Sequence, residues 1–198
     1  MNNNNINNNN NNNININVNL IVAFCKNNGI GNENSIPWKI STDLKKFKKY
    51  TSPKQTMQSS AIIMGKNTFT SITKPLPNRD NLILSSTLNI DETFDNKNIV
   101  KSFSKVERIE DFVKLKNYDE VWIIGGSKIY DLFLNSYPND GLLKPKNLYI
   151  TYIDEEFECD TFFPTIDTNI YKFVSQETHD TNGKEYDYTI LDRLYTRV

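Results

Sequence analysis

Histidine is nearly missing from this 198-residue chain: His179 is the only one. A multi-histidine zinc centre or a serine–histidine nucleophile therefore has little to be built from. Proton chemistry must fall largely to carboxylates, tyrosine, lysine or water. His179 itself lies in the polar run Glu177-Thr-His-Asp-Thr-Asn-Gly183 and reads as a solvated residue at a strand end and turn. Cysteine is almost as scarce. Cys25 and Cys159 are the two present, in no metal-type spacing, so no metal is expected. The N-terminus lacks the basic start and apolar core of a signal peptide. Two free thiols and a cytoplasmic location are expected accordingly. No apolar run approaches the roughly 20 residues that span a bilayer. The net charge of −1 leaves no electrostatic footprint for nucleic acid or an anionic membrane.

Asparagine is what the chain has in excess. Residues 1–18 are nearly all asparagine, broken by isolated aliphatics. Such a tract buries too little apolar surface to offset chain entropy, so a disordered tail is expected, with the ordered domain over residues 19–198. In that domain apolar runs alternate with helical patterns. Leu20–Cys25, Ala61–Met64, Leu82–Ser85 and Val121–Ile124 read as strands, the apolar ones buried on both faces. Helical patterns cover Thr42–Tyr50, Lys66–Ile72, a segment from the capping box Ser104-x-x-Glu107 to about Lys114, and the segment after Gly126. Leu148–Ile153, Tyr171–Gln176 and Tyr186–Leu194 alternate as strands, with a turn signal at Asn182-Gly183. The pattern is that of a single α/β domain, mostly parallel, with a C-terminal antiparallel hairpin.

Three places carry chemistry. The first is Gly29-Ile-Gly31, Ile36-Pro37-Trp38 and Asp43-Leu44-x-x-Phe47. In a helix begun by Ser41 or Thr42, Asp43, Leu44, Phe47 and Tyr50 share an arc, while Lys45, Lys46, Lys48 and Lys49 take the opposite one. An acid on the apolar side is costly to bury unless it binds something. The second is a pair of strand–glycine–helix junctions, at Gly65-Lys66-Asn67-Thr68 and at Gly125-Gly126-Ser127-Lys128. Helix starts of this kind favour anions, and with Ser85-Ser86 nearby they point to a phosphate-bearing ligand. The third is Pro75-Leu-Pro-Asn-Arg79, whose guanidinium either forks a carboxylate or pairs locally on a surface loop.

Together these segments resemble dihydrofolate reductase. The match runs in order through Ile21-Val-Ala23, Gly29-Ile-Gly31, Ile36-Pro-Trp38, Asp43-Leu44-x-x-Phe47, Ile63-Met-Gly65-Lys66-x-Thr68-Phe69, Leu76-Pro-x-Arg79, Leu82–Ser86, Ile123-Ile-Gly-Gly-Ser127 with Tyr130, and Asp160-Thr-Phe-Phe-Pro164. The resemblance implies a mixed, mostly parallel sheet of eight strands with helices on both faces and a flexible loop over the site. It also implies NADPH as hydride donor, dihydrofolate and antifolates as ligands, and a monomer.

Carried over by residue, the resemblance makes Asp43, Trp38, Thr151 and Tyr130 the catalytic group, with Asp43 pairing the pterin edge and Thr151 reaching Asp43 or its water. Substrate would lie against Ile21, Val22, Ala23, Leu44, Phe47, Ile72, Leu76 and Ile124, with Arg79 clamping the glutamate α-carboxylate. The cofactor would contact Ala23, Ile30, Gly31, Gly65, Asn67, Ser102, Ile124, Gly125, Gly126, Lys128, Ile129 and Tyr130. Lys66, Ser85 and Ser86 would hold the 2′-phosphate, Thr68 and Ser127 the pyrophosphate, and a cis peptide would join the paired glycines. The chain departs from the family's commoner patterns in having Lys39-Ile40-Ser41 after the tryptophan, serine at 86 where vertebrate members carry arginine, and Asn67 where a basic residue is usual. Rival readings are another pterin or pyrimidine reductase on the same scaffold, which would lack the Pro-Trp…Asp pairing and Arg79, and a non-catalytic nucleotide- or RNA-binding regulator.

Overall fold

Asn17–Cys25 (β1) runs through the middle of the chain's main sheet, and its composition explains why. Val18, Leu20 and Val22 face one side and Ile21 the other, and all four are buried. The computed structural model describes residues 16–55, 57–95, 97–180 and 189–198. Within them β1 starts earlier than the expected boundary at residue 19, because Ile16 and Val18 are 3% and 0% exposed in the core. The rest of the asparagine-rich tail and the Asn182-Gly183 turn lie outside the described residues.

After β1 come Gly29–Gly31 (β2), Ser41–Thr51 (α1), Ser60–Gly65 (β3), Lys66–Ser71 (α2) and Asp80–Leu84 (β4). Thr93–Asp95 (β5), Asn98–Phe103 (β6), Val106–Lys116 (α3) and Glu120–Gly125 (β7) follow. Ser127–Asp131 (α4) continues into a π-helical turn over Leu132–Ser136, and the chain ends with Asn147–Ile153 (β8), Thr161–Phe162 (β9), Tyr171–Asp180 (β10) and Thr189–Arg197 (β11). The main sheet has the order β10-β11-β8-β1-β7-β3-β4-β6-β5. Its middle, from β8 to β6, is parallel throughout, and β11, β10 and β5 are antiparallel additions.

Among the described residues the main sheet has nine strands where eight were expected. β5 and β6 were not foreseen as strands. β5 is a three-residue edge with Phe94 exposed, too short to leave a periodic signal. β2 and β9 form a separate two-stranded ribbon, with Gly29 opposite Phe162 and Gly31 opposite Thr161. The capping box also fails to form. Lys105, not Ser104, is the residue before α3, and no side chain caps that helix.

The sheet has two apolar faces. Val22, Ile63, Leu82, Ile109 and Phe133 pack on one, Ile62, Met64, Ile83 and Trp122 on the other. α1 covers the second face, where Tyr50 meets Tyr149 with ring centroids 4.9 Å apart. Parallel strands end together, so the carboxyl ends of β1, β3, β4 and β7 open onto one crevice, the usual place for a ligand in such sheets.

Candidate active site

The crevice is a cleft of about 1540 Å³ lined from both sheet halves, α1, α2, α4 and the β2–β9 ribbon. Asp43 enters it from the first turn of α1. Trp38, 6% exposed, stands beside it with its ring edge-on to Phe157, centroids 5.4 Å apart. The Trp38 indole N–H is buried and has no hydrogen-bond partner. Phe47, Leu44, Ile72 and Leu76 form an apolar wall. Leu44 is 60% exposed, so this wall stays open to a ligand.

Burial pushes the Asp43 carboxyl above its ordinary range, and this outweighs the Thr151 hydroxyl and the Lys46 ammonium, which favour the anion. Asp192 acts in the same sense as burial. Thr151 lies behind the cleft wall, almost fully buried, where β8 pairs with Ala23 of β1 and with Asp192 of β11. The site acid is thus more basic than a surface aspartate and has one hydroxyl donor beside it.

At the far end, Arg79 is 3% exposed although it lines the cleft. Its Nε donates to the Pro77 carbonyl at 3.0 Å and its guanidinium also reaches the Thr51 hydroxyl. Burial brings its pKa down to about 10, and among the described residues no carboxylate forms an ion pair with it. A buried guanidinium held by neutral oxygens is poised for an anion from outside the chain.

The other wall is the β7–α4 junction. The Gly125–Gly126 peptide is cis and Gly125 has φ +105°. A side chain at Gly125 would come within 2.7 Å of the Tyr130 ring, so only glycine fits against that ring behind the wall. The Tyr130 hydroxyl lies 2.9 Å from the carbonyls of Ile21 and Ile124, which joins the middle of β1 to the end of β7, and burial keeps it protonated. Lys66 opens α2, its ammonium 3.2 Å from the Thr87 hydroxyl, with Ser85, Ser86, Ser104 and Lys105 lining the same end of the cleft.

The family model described as dihydrofolate reductase matches residues 17–194, nearly everything after the asparagine-rich tail. The chain belongs to the dihydrofolate reductase family. It is 38% identical to the dihydrofolate reductase of Bacillus subtilis over 173 residues, covering 86% of this chain and 90% of that protein. Identity is 37% to the Staphylococcus haemolyticus dihydrofolate reductase, over 90% of this chain and 95% of the relative. It is 30% to that of Drosophila melanogaster, over 88% and 96%.

Most residues singled out in the sequence line this reductase-family cleft. They are Ile21, Val22, Ala23, Ile30, Gly31, Trp38, Asp43, Leu44, Phe47, Gly65, Lys66, Asn67, Thr68, Ile72, Leu76, Arg79, Ser85, Ser86, Ile124, Gly126, Ser127, Lys128, Ile129 and Tyr130. Thr151 and Gly125 stand immediately behind it. Ser102 does not belong. Its hydroxyl donates to the Leu88 carbonyl at 3.0 Å and accepts from the Ile90 N–H at 2.7 Å, so it ties a loop to β6 and is spent there. The lysine arc of α1 also needs correction, because Lys48 lines the cleft and Lys46 pairs with Asp192 on β11. His179 is exposed near the end of β10, as expected, and its Nε2 lies 2.7 Å from Oδ2 of Asp192, a partner the sequence did not foresee.

Sequence reading missed Ser35, Thr87, Ser104, Lys105 and the Asp160–Phe162 segment, all at the cleft. The last could have been found, since Asp160-Thr-Phe-Phe-Pro164 was among the matched motifs. Here Asp160 accepts the Glu33 N–H at 2.9 Å and so fastens the loop after β2.

Proposed function

We propose that this chain reduces 7,8-dihydrofolate to 5,6,7,8-tetrahydrofolate with NADPH, and so supplies one-carbon metabolism. The observation that carries the reading is Asp43, an anion raised in proton affinity among apolar walls, with Thr151 behind it and the unpartnered Trp38 N–H beside it. A pterin offers a flat ring and an N–H-rich amidine edge. The ring suits the Phe47–Ile72–Leu76 wall and the edge suits a carboxylate that accepts two hydrogen bonds. At the other end, Arg79 would take the glutamate α-carboxylate.

The cofactor's fit rests on the opposite wall. Its hydride would be supplied at nicotinamide C4. The backbone at Gly126, which lines the cleft, gives a flat ring room, and Gly125 behind it lets Tyr130 pack close and join β1 to β7. Lys66 would meet the 2′-phosphate together with Thr87, Ser85 and Ser86, and Lys105 would add a second cation where position 86 lacks one. Thr68 and the start of α4 would face the pyrophosphate.

Pterin N5 must gain a proton as C6 is reduced. The one histidine belongs to the β10–β11 edge, so water would deliver the proton, with Asp43 holding the ring and raising the basicity of N5. Among the described residues no helix is long and apolar enough to cross a membrane. The test is a spectrophotometric assay with NADPH and dihydrofolate. Cofactor oxidation that depends on dihydrofolate is expected. Oxidation with a pyrimidine substrate and none with dihydrofolate would overturn the reading.

A further inference from the structure

Lys46, Asp192 and His179 form a polar cluster beside the cleft that the proposed substrate contacts do not use. Lys46 of α1 forms an ion pair with Oδ2 of Asp192 on β11. The same oxygen lies 2.7 Å from His179 Nε2 on β10, and Glu177 Oε2 stands 3.8 Å from that nitrogen. The Asp192 side chain is 19% exposed, and its Oδ1 is buried with no hydrogen-bond partner. An acid so placed is costly to bury, and its two cationic or donor neighbours only partly offset that.

Its position gives the cost a meaning. Asp192 is directly opposite Thr151 in the β8–β11 register, so their side chains share a face about 5 Å apart. Thr151 is the residue whose hydroxyl meets Asp43. Lys46 follows Asp43 by three positions on α1, which makes the two neighbours on the helix surface. The ammonium therefore has two carboxylates within its reach and goes to Asp192. Asp43 forms no ion pair among the described residues. The groups facing Asp43 are Lys46 from α1, the Thr151 hydroxyl from β8, Asp192 from β11 and Tyr130 from α4. Those facing Asp192 are Lys46, Asp43, His179 and Glu177.

We propose that Asp192 is a positioning residue for dihydrofolate: it holds the Lys46 ammonium against β11, so that the Asp43 carboxylate meets the pterin edge without a competing cation. His179 braces Asp192 from the far side. The proposal rests on the dihydrofolate-reducing function argued above. Loss of Asp192 would remove a like charge near Asp43 and release Lys46 to pair with it, and both changes lower the proton affinity of Asp43.

The experiment uses the full chain with Asp192→Asn, Asp192→Glu and the double variant Asp192→Asn/Lys46→Met. Carboxyl 13C NMR titration of ligand-free protein, assigned with Asp43→Asn, reads Asp43 directly. Steady-state kinetics read KM for dihydrofolate and for NADPH separately. In Asp192→Asn the Asp43 midpoint should fall by about one to three pH units. KM for dihydrofolate should rise about tenfold, the equivalent of about one such unit, with KM for NADPH unchanged. The double variant should recover most of both effects, and Asp192→Glu should resemble the parent. An unchanged Asp43 midpoint, an equal rise in both KM values, or no recovery on removing Lys46 would each overturn the proposal. If the parent chain reduces no dihydrofolate, the functional reading fails instead, and the titration still decides whether Asp192 keeps Lys46 from Asp43.

Discussion

The Ser127 hydroxyl donates to the Phe162 carbonyl at 2.6 Å and ties the start of α4 to the β9 strand of the ribbon. Ser127 thus fastens a loop that borders the cleft, in addition to any contact with the cofactor. Ser127→Ala should loosen the β2–β9 ribbon. Hydrogen exchange should quicken at Gly29–Gly31 and Thr161–Phe162 even without ligand. Unchanged exchange there, with weaker cofactor binding, would confine Ser127 to the pyrophosphate.

Asp43→Asn should cut hydride transfer to dihydrofolate by about 10²–10³-fold, since asparagine keeps the size but not the charge that holds a protonated pterin. Residual activity should recover as pH falls, because substrate then arrives protonated. Cationic diaminopteridine antifolates should bind more weakly for the same reason. Near-normal turnover at neutral pH would remove Asp43 from the mechanism.

The same variant carries a stability signature of known sign. Asp43 holds its proton to higher pH in the folded state than its ordinary 3.8, mainly through burial. Across that window the folded protein binds the extra proton, so stability falls as pH rises and stays lower above it. Asp43→Asn should therefore raise the ligand-free melting temperature at neutral pH. Below about 3.8, where the parent carboxyl is also neutral, the gain should vanish. A variant less stable than the parent at neutral pH would show that the charge is better satisfied in the fold than burial implies.

Arg79→Ala should weaken dihydrofolate by about 2–5 kcal/mol, as expected when a buried charge loses its partner. A pterin without the glutamate tail should bind both proteins alike. Equal weakening of both ligands would mean that losing the bonds to Pro77 and Thr51 had disturbed the fold.

Lys66→Ala should weaken NADPH by about 10- to 100-fold relative to NADH, the scale of one charge-assisted hydrogen bond. Competition binding with the two cofactors measures the ratio. Equal loss for both would move Lys66 from the 2′-phosphate to the pyrophosphate.

Local patterns made most of the cleft legible. Apolar runs marked the buried parallel strands because strands covered on both faces are mostly apolar. Glycines at Gly65 and Gly125-Gly126 marked helix starts where backbone meets ligand, and Asp43 stood out because an acid on an apolar arc needs a reason. Pairing across distant strands was not legible in this way. β5 is too short to show a period, and the fate of Ser102 depends on a loop that only the folded chain brings to it.

The sequence by itself determined the α/β class, because that follows from burial patterns, and its ordered motifs, through their resemblance to one family, pointed to the family and to most of the residues that line the cleft. Only the tertiary structure decided how the charges are shared. Lys46 and His179 read as solvated residues along the chain. The register that sets Asp192 opposite Thr151 places Asp192 and its partner Lys46 near Asp43, with His179 on the far side of Asp192. Electrostatic partners are chosen by distance in space, and residues 43 and 192 become neighbours only after β11 has paired with β8.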